Sequence, residues 1–197
     1  MSWISTASGR RIDYLDPDPA QIDIEDIAAG LAALPRWLGQ TLHHGLPTPY
    51  SVAQHSCHCC EELREIQIRR RIYVPLALAG LLHDAAEAYM GDCPRPLKRQ
   101  LGAAWDEIEA RLAATIFKRF GLDAEWLRHP AIKHVDDRML MTERRDLQPR
   151  CPPWDGGPWP EPFDAPIEPW SAAFARRRFL MLFHGLNGDV FSPEPAA

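Results

Sequence analysis

His83 and Asp84 are the residues whose types and setting point most directly to chemistry. Both side chains are strong metal ligands, and they interrupt a segment, Leu76 to Met90, that is otherwise rich in Leu and Ala. A charge buried among such residues is costly unless it is paired or bound to a metal. Adjacent positions on a helix point about 100° apart. Both residues can therefore bind one ion only if it lies between them and other helices complete its coordination.

His55 and Asp136 fit as the further ligands of such an ion. His55 lies in the helix predicted to follow Ser51, and Asp136 lies in the helix predicted to follow Pro130. Taken singly, a His in a helix is more often a structural residue and an Asp more often a cap or a surface charge. Together, two imidazoles and two carboxylates without a thiolate suit one divalent metal ion: Mn²⁺, Co²⁺, Fe²⁺, Zn²⁺ or Ni²⁺, with Mg²⁺ as a further candidate.

Cys57 and Cys60 form a C-x-x-C pair that has to be weighed as a zinc or redox site. A structural zinc site needs four ligands, and the other candidates, Cys93 and Cys151, are isolated in the sequence. The odd total of five cysteines also argues against a disulfide scaffold. We therefore interpret Cys57, Cys59 and Cys60 as buried thiols on a helix.

The composition is typical of a folded, soluble protein. The chain has 197 residues, of which 46% are hydrophobic and 25% charged, close to the averages for globular domains. The formal net charge of −5 argues against binding of a nucleic-acid duplex and permits a small anionic ligand. No apolar run is long enough to cross a membrane, and the N-terminus lacks an apolar signal-peptide core. These features predict a cytoplasmic protein.

Apolar residues at helical spacing predict an all-α fold, organised as one domain over residues 1–197. The predicted helices begin at capping residues or prolines and end at glycines or prolines. They cover residues 23–35, 51–70, 75–90, 102–120, 130–148 and about 170–187. Two β-prone pieces between Trp3 and Tyr14 predict a short hairpin. The segment that carries the metal ligands spans about residues 23–147.

Two segments are predicted to be loops. Residues 38–50 contain two glycines and two prolines and carry His43 and His44. In residues 149–169, eight of 21 residues are proline, and Trp154 and Trp159 lie among them. This second segment is interpreted as an extended aromatic loop before the last helix, acting either as a lid or only in packing.

The sequence resembles the HD-domain phosphohydrolases in three blocks. YSVAQHS at 50–56, LLHDAAEAYMGDCPRPLK at 81–98 and KHVDDRMLMTERRDL at 133–147 are similar to the branch that includes bacterial 5′-deoxynucleotidases and phage and prophage deoxynucleotide (tri)phosphohydrolases. The resemblance covers roughly residues 1–147. It implies an HD-type bundle of five or six helices around one ion held by His55, His83, Asp84 and Asp136.

Further site residues follow from position and from the resemblance. Glu87 shares a helix face with His83 and Asp84 if the helix is continuous, and is suited to orient or deprotonate a water. The resemblance implies that Asp92 is a second acid/base carboxylate. It also implies that Arg36 binds phosphate and that Trp37 lies against the sugar.

Lys98 and Lys133 are candidate partners for phosphate groups. Lys98 closes the GDCPRPLK turn, and Lys133 lies one helical turn before Asp136. Ordinary solvent exposure is an equally good interpretation of either lysine.

The expected activity is metal-dependent hydrolysis at the α-phosphorus of a small-molecule (deoxy)nucleotide. A monophosphatase and a triphosphohydrolase remain open, with two lysines and an arginine favouring the triphosphate. A nucleotide-sensing HD protein without turnover is the alternative from another class. A two-metal cyclic-nucleotide phosphodiesterase would need His58, His129 or His134 as extra ligands. The resemblance also implies a homo-oligomer.

Overall fold

α-Helices make up most of the chain that the computed structural model describes, which is residues 1–71, 75–155 and 157–190. In chain order they are α1 (Ile24–Ala33), α2 (Val52–Arg70), α3 (Leu76–Leu81), α4 (Glu87–Met90), α5 (Arg95–Leu101), α6 (Ala103–Arg119), α7 (Pro130–Leu147) and α8 (Ala172–Val190). The predicted N-terminal hairpin is present, with β1 (Trp3–Ser5) antiparallel to β2 (Arg11–Asp13) and Ile4 opposite Ile12. The mostly helical fold is thus confirmed. Residues 191–197 of the predicted domain lie outside the described residues.

Helix α2 is the central element of the bundle. It begins where Ser51 Oγ accepts a hydrogen bond from Gln54 N, as expected for a capping serine. It packs against α3, α7, α8 and α1. The approach to α3 is close, because a Cβ atom on Gly80 would lie only 2.1 Å from Leu63 Cδ1. Cys57, Cys59 and Cys60 are buried in α2 as free thiols, as the sequence indicated.

The segment after α1 is tied to the start of α2. Asp23 caps α1 as predicted, and α1 packs against α8 and α4. Beyond α1, Arg36 N donates to Tyr50 O (2.8 Å) and Val52 N donates to Leu34 O (3.0 Å). These bonds hold Arg36 beside the first turn of α2.

The prediction of one continuous helix over residues 75–90 is wrong. Helix α3 ends at Leu81 and α4 begins at Glu87, with turns between them. His83 Nδ1 donates to Gly80 O (2.7 Å), the carbonyl that an α-helix would use for the amide of Asp84. The side chain thus competes with the backbone ladder, and the amides of residues 85 and 87 bond to carbonyls three residues back.

One short helix and one short hairpin were not predicted. Helix α5 begins after Pro94 and carries Pro96 in its first turn, where a proline removes only an amide that has no partner in the helix. In the predicted loop over residues 38–50, β3 (Leu42–His43) pairs with β4 (Leu46–Pro47). In both segments the prolines were interpreted as evidence against a helix or a strand.

The Pro/Trp-rich loop (residues 149–169) has no helix or strand among its described residues, as predicted. The helix after it begins at Ala172, close to the predicted start. In the described part of the chain, no helix combines the length and apolarity needed to span a bilayer.

Asp26 joins the N-terminal hairpin to α1. Its carboxylate accepts from Thr6 Oγ1 (2.7 Å), Ser8 N (3.0 Å) and Ser8 Oγ (2.6 Å). Burial opposes ionisation, but the bonds from Ser8 and Thr6 outweigh it and hold the pKa of Asp26 below its ordinary value. A depressed pKa in the folded state means that this stabilisation is present above the unfolded pKa and is lost as the pH falls through the folded pKa.

We predict that Asp26→Ala lowers the free energy of unfolding by about 1.5–3 kcal/mol at pH 7, since hydrogen bonds to a charged group are lost. The loss should shrink below about pH 4. Denaturant unfolding at pH 7 and below about pH 4 measures this loss of free energy of unfolding. Glu25→Ala is the matched control, because Glu25 is exposed and pairs with exposed Arg176, and it should cost less than about 1 kcal/mol. Equal losses in the two variants would contradict the role of Asp26.

Candidate metal centre

The side chains of His55, His83, Asp84 and Asp136 converge from three parts of the fold. His55 Nε2 lies 3.4 Å from His83 Nε2, 3.6 Å from Asp84 Oδ2 and 3.5 Å from Asp136 Oδ1. His83 Nε2 lies 3.3 Å from Asp84 Oδ2. The structure therefore brings together the four residues that the sequence singled out as ligands.

The spacing of these donor atoms fits a metal ion. Four ligands at tetrahedral corners, with bonds of about 2.1 Å, lie about 3.4 Å from one another, and the four measured separations are 3.3–3.6 Å. Two imidazole nitrogens and two carboxylate oxygens are donors for a divalent transition metal. The residues present thus fit the ion that the sequence implies.

Both imidazoles are oriented by a bond on their other nitrogen. His55 Nδ1 donates to Glu143 Oε1 (2.6 Å), and His83 Nδ1 donates to Gly80 O (2.7 Å). Such outer partners fix the tautomer and ring orientation of metal-binding histidines. Here they leave Nε2 of both rings available at the point where the four side chains meet.

Cys59 also lies near this centre. Its Sγ atom is 3.5 Å from His55 Nε2, and a nitrogen or sulfur atom from each of His55, Cys59 and His83 lies within 4.8 Å of the others. Burial raises the pKa of the Cys59 thiol, which keeps it neutral. The two carboxylates, by contrast, are held ionised: burial opposes this, but His83 and His55 outweigh it and keep the pKa of Asp84 well below its ordinary value. The two carboxylates are therefore kept as candidate ligands, and Cys59 is a buried thiol beside them.

Glu143 is the central residue that the sequence reasoning missed. It is fully buried, and besides His55 it accepts from Arg36 Nε (3.1 Å) and Trp37 Nε1 (2.8 Å). Burial opposes its ionisation, but Arg36 and His55 outweigh this and hold the pKa of Glu143 below its ordinary value. The signal was available, because Glu143 lies seven residues after Asp136 and thus on the same face of α7.

Arg36 and Trp37 both donate hydrogen bonds to the Glu143 carboxylate, which the sequence did not predict. Arg36 Nη1 also lies 3.3 Å from Asp84 Oδ2, so its guanidinium contacts two acids at the wall of the cavity. Trp37 and Leu38 have left-handed backbone conformations, with φ of 57° and 53°. Such strain at non-glycine residues persists only where the surroundings impose it, often at functional sites.

Glu87 and Asp92 line the cavity in front of the four ligands. Glu87 is buried, and its Oε2 atom has no hydrogen-bond partner among the described residues. Burial raises the pKa of Glu87 well above its ordinary value, and the charges of Asp84 and Asp92 add to the shift. Burial likewise raises the pKa of Asp92. The predicted pair of acid/base carboxylates is thus close to the centre, in an environment that favours protonation.

Besides Arg36, three cations lie near the centre, and two of them, Lys98 and Lys133, were predicted. Arg95 donates to Asp136 Oδ2 (2.8 Å), which leaves Asp136 Oδ1 facing His55, and it was not singled out in the sequence. Lys98 lines the cavity and pairs with Glu109. Lys133 is largely exposed, pairs with Asp137 and lies outside the cavity lining formed by the described residues. Its Nζ atom lies 3.8 Å from Asp136 Oδ2, so Lys133 is beside a candidate ligand although it does not line the cavity.

A cavity of about 640 Å³ opens in front of the ligands, a volume in the range of small-molecule sites. One side is formed by α5 and the segment before it, and another by the Pro/Trp-rich loop. Its lining includes Arg36, Trp37, Asp84, Glu87, Asp92, Arg95, Lys98, Arg99, Asp136, Trp154 and Trp159. The sequence identified the loop but did not place its tryptophans at the site.

The other histidines considered as extra ligands are engaged elsewhere. His58 lies 3.2 Å from Gln54 Nε2 and contacts the ring of Trp170. His129 caps α7 by accepting from Ala131 N (3.2 Å). Neither is within the cluster at the centre, and the third candidate, His134, is exposed on α7.

Comparisons with known proteins identify two relatives. No protein-family model matches the chain. A protein named "Uncharacterized protein RCAP_rcc00048", from Rhodobacter capsulatus, is 46% identical over 123 residues, which are 62% of this chain and 60% of that relative. The chain thus spans less than two thirds of its length. "Uncharacterized protein YfdR", from Escherichia coli K12, is 36% identical over 160 residues, 81% of this chain and 78% of YfdR.

The chain belongs to the YfdR family. The 160 aligned residues, 36% identical, make up most of both proteins. This alignment is longer than the segment of about residues 23–147 that carries the four candidate ligands. The names of the two relatives state no activity, so the chemistry of this YfdR-family chain rests on its own residues.

We predict that Glu143→Gln weakens binding of Co²⁺ by about 10- to 100-fold, the usual effect of removing the outer partner of a metal-binding histidine. A neutral amide satisfies His55, Arg36 and Trp37 less well than the carboxylate does. Calorimetric titration of this YfdR-family protein with Co²⁺ measures the affinity.

Glu107→Gln provides the matched control, because Glu107 is exposed on α6 and the same change there should leave Co²⁺ binding unchanged. Circular dichroism establishes that each variant is folded. An unaltered affinity in folded Glu143→Gln would show that Glu143 does not orient His55 for metal binding.

Proposed function

We propose that this protein is an HD-type, metal-dependent phosphohydrolase that acts on (deoxy)nucleotides. The observation that carries the proposal is the convergence of His55, His83, Asp84 and Asp136 at metal-ligand spacing. Two of them, Asp84 and Asp136, line a cavity whose lining also includes cations and tryptophans. The resemblance of the three sequence blocks to HD-domain phosphohydrolases supports the same conclusion.

These four residues would hold one divalent ion. When bound, such an ion lowers the pKa of a water molecule and polarises a phosphoryl oxygen. The protein supplies the rest, since catalysis of phosphoryl transfer is largely positioning and charge stabilisation. His55 and His83 are held rigidly by Glu143 and Gly80.

Glu87 and Asp92 are assigned to proton transfer. Glu87 carries a buried oxygen without a partner among the described residues, and burial raises the pKa of both carboxyls. A carboxyl group with a raised pKa can give its proton to a leaving oxygen, and the carboxylate form can orient an attacking water. The two groups therefore suit the acid and base roles of hydrolysis.

Lys98 and Arg99 are assigned to the phosphate groups of the substrate. Both line the cavity, and cationic side chains form short, strong hydrogen bonds to phosphate oxygens. Arg36 also lines the cavity and could contact phosphate while it holds Glu143 and Asp84, as Lys98 could while paired with Glu109. Attack at the α-phosphorus releases phosphate from a monophosphate and triphosphate from a triphosphate, so the proposal covers both products.

The first test is release of phosphate or triphosphate from a panel of deoxynucleotides with added Mn²⁺ or Co²⁺. We predict metal-dependent turnover by the wild-type protein. Asp84→Ala should reduce turnover to the background measured with EDTA, because one carboxylate ligand is lost. Asp16→Ala changes an exposed aspartate of the N-terminal segment and should retain full activity.

Three outcomes are informative. Equal rates for Asp84→Ala and the wild-type protein would end the proposal. Nucleotide binding with metal present but without product over hours would favour a sensing protein instead. A product analysis of the active protein separates the monophosphatase from the triphosphohydrolase.

A second prediction concerns Glu87. Glu87→Gln should lower kcat by about 10²- to 10⁴-fold, the usual contribution of general acid–base catalysis, with little change in KM. The amide has nearly the shape of the carboxyl but transfers no proton. Steady-state kinetics on the best nucleotide of the panel measures the change. If KM rises while kcat is preserved, Glu87 binds substrate and is not the proton-transfer group.

A further inference from the structure

The Pro/Trp-rich loop is a fixed wall of the cavity. It is anchored to α7 by hydrogen bonds in which Arg138 Nε donates to Glu161 O (2.9 Å) and Phe163 N donates to Thr142 Oγ1 (2.9 Å). Ile167 N also donates to Asp146 Oδ2 (2.9 Å). A segment without regular structure gains a defined conformation from such bonds. The loop is therefore built into the fold.

Trp154 fastens the loop to the metal side of the cavity. Its ring stacks on Trp37, with centroids 5.9 Å apart and planes inclined by 25°. The guanidinium of Arg144 lies over the Trp154 ring at 4.8 Å. Trp159 meets Trp154 edge to face at 5.4 Å. These contacts engage Trp154 with its neighbours, so it acts as a positioning residue.

Trp159 is partly exposed in the cavity. It lines the cavity, yet 37% of its surface is exposed. Trp154 supports it from one direction, and an indole surface remains open. Large aromatic side chains are usually well buried in a folded domain. An indole presented at the wall of a cavity is thus a surface that a flat, apolar ligand group can cover.

Cationic side chains also line this cavity, namely Lys98 and Arg99 of α5. Cations bind phosphate, and tryptophan rings stack on the faces of nucleobases. One cavity that offers cations, the candidate ligands Asp84 and Asp136 and a partly exposed indole matches a molecule with a phosphate at one end and an aromatic ring at the other.

We propose that Trp159, held in place by Trp154, stacks on the base of the bound nucleotide and makes the site selective for nucleotides over base-free sugar phosphates. This inference rests on the proposed function only for the phosphate-bearing class of ligand. The Pro/Trp-rich loop therefore belongs to the substrate site.

The test compares two ligands that differ only in the base. They are the 5′-methylenephosphonate of 2′-deoxyadenosine and the corresponding phosphonate of the abasic 1,2-dideoxyribose, in which a carbon–phosphorus bond prevents hydrolysis. Calorimetry with Mn²⁺ present gives both Kd values. The wild-type protein should bind the base-containing ligand about 5- to 100-fold more tightly, as expected for one stacked base.

Trp159→Ala should bring the ratio of the two Kd values close to one, while the Kd of the abasic ligand stays unchanged. Trp159→Phe should retain most of the preference, because it keeps an aromatic face. Trp3→Ala is the control, since Trp3 lies in β1 and outside the cavity lining, and it should behave like the wild-type protein.

Several results would overturn the inference: equal affinities of the wild-type protein for the two ligands, no binding of either, or a Trp159→Ala variant that keeps the preference or weakens both ligands equally. Failure here is distinguishable from failure of the proposed function, because binding of phosphonates involves no turnover. A protein without hydrolase activity whose base preference disappears in Trp159→Ala would support the stacking role alone. An active hydrolase that binds both ligands equally would retain only the hydrolase assignment.

Discussion

Glu143 is a carboxylate without exposed surface, and the arrangement of the candidate centre depends on how its charge is satisfied. An unpaired buried charge costs several kcal/mol or more. Glu143 instead accepts bonds from His55, Arg36 and Trp37. These partners come from α2 and from the segment after α1, while Glu143 belongs to α7. One buried charge thus connects three parts of the chain and, through His55, sets the direction of a nitrogen of the candidate metal centre.

The centre gathers more negative than positive charge. Five carboxyl groups meet near the cavity, those of Asp84, Glu87, Asp92, Asp136 and Glu143, and two guanidiniums contact them, those of Arg36 and Arg95. Groups packed this closely cannot all ionise at ordinary pH. The outcome is a division of roles, because Asp84, Asp136 and Glu143 have lowered pKa values and Glu87 and Asp92 have raised ones. Under the proposed function, a divalent cation balances the ionised members.

The sequence predicted the residues of the centre better than the backbone that carries them. Polar residues within an apolar segment can be recognised from the sequence as candidate ligands, because a buried charge requires a partner. The interruption at His83 is not visible, because it depends on a side-chain bond to Gly80 O that competes with the helix ladder. Glu143 could have been found from its spacing to Asp136, whereas Arg95 could not, because its partner lies 41 residues away.

The two sides of the cavity are built differently, and Trp37 connects them. The ligand side is assembled from helices and their ends, which hold side chains within the narrow tolerances of metal binding. The wall opposite is a loop, and loops accept changes of sequence more readily than helices do. Trp37 donates to Glu143 on the ligand side and stacks on Trp154 in the loop, from a left-handed backbone conformation that costs about 1–3 kcal/mol. Through these two contacts Trp37 links the loop to the buried carboxylate.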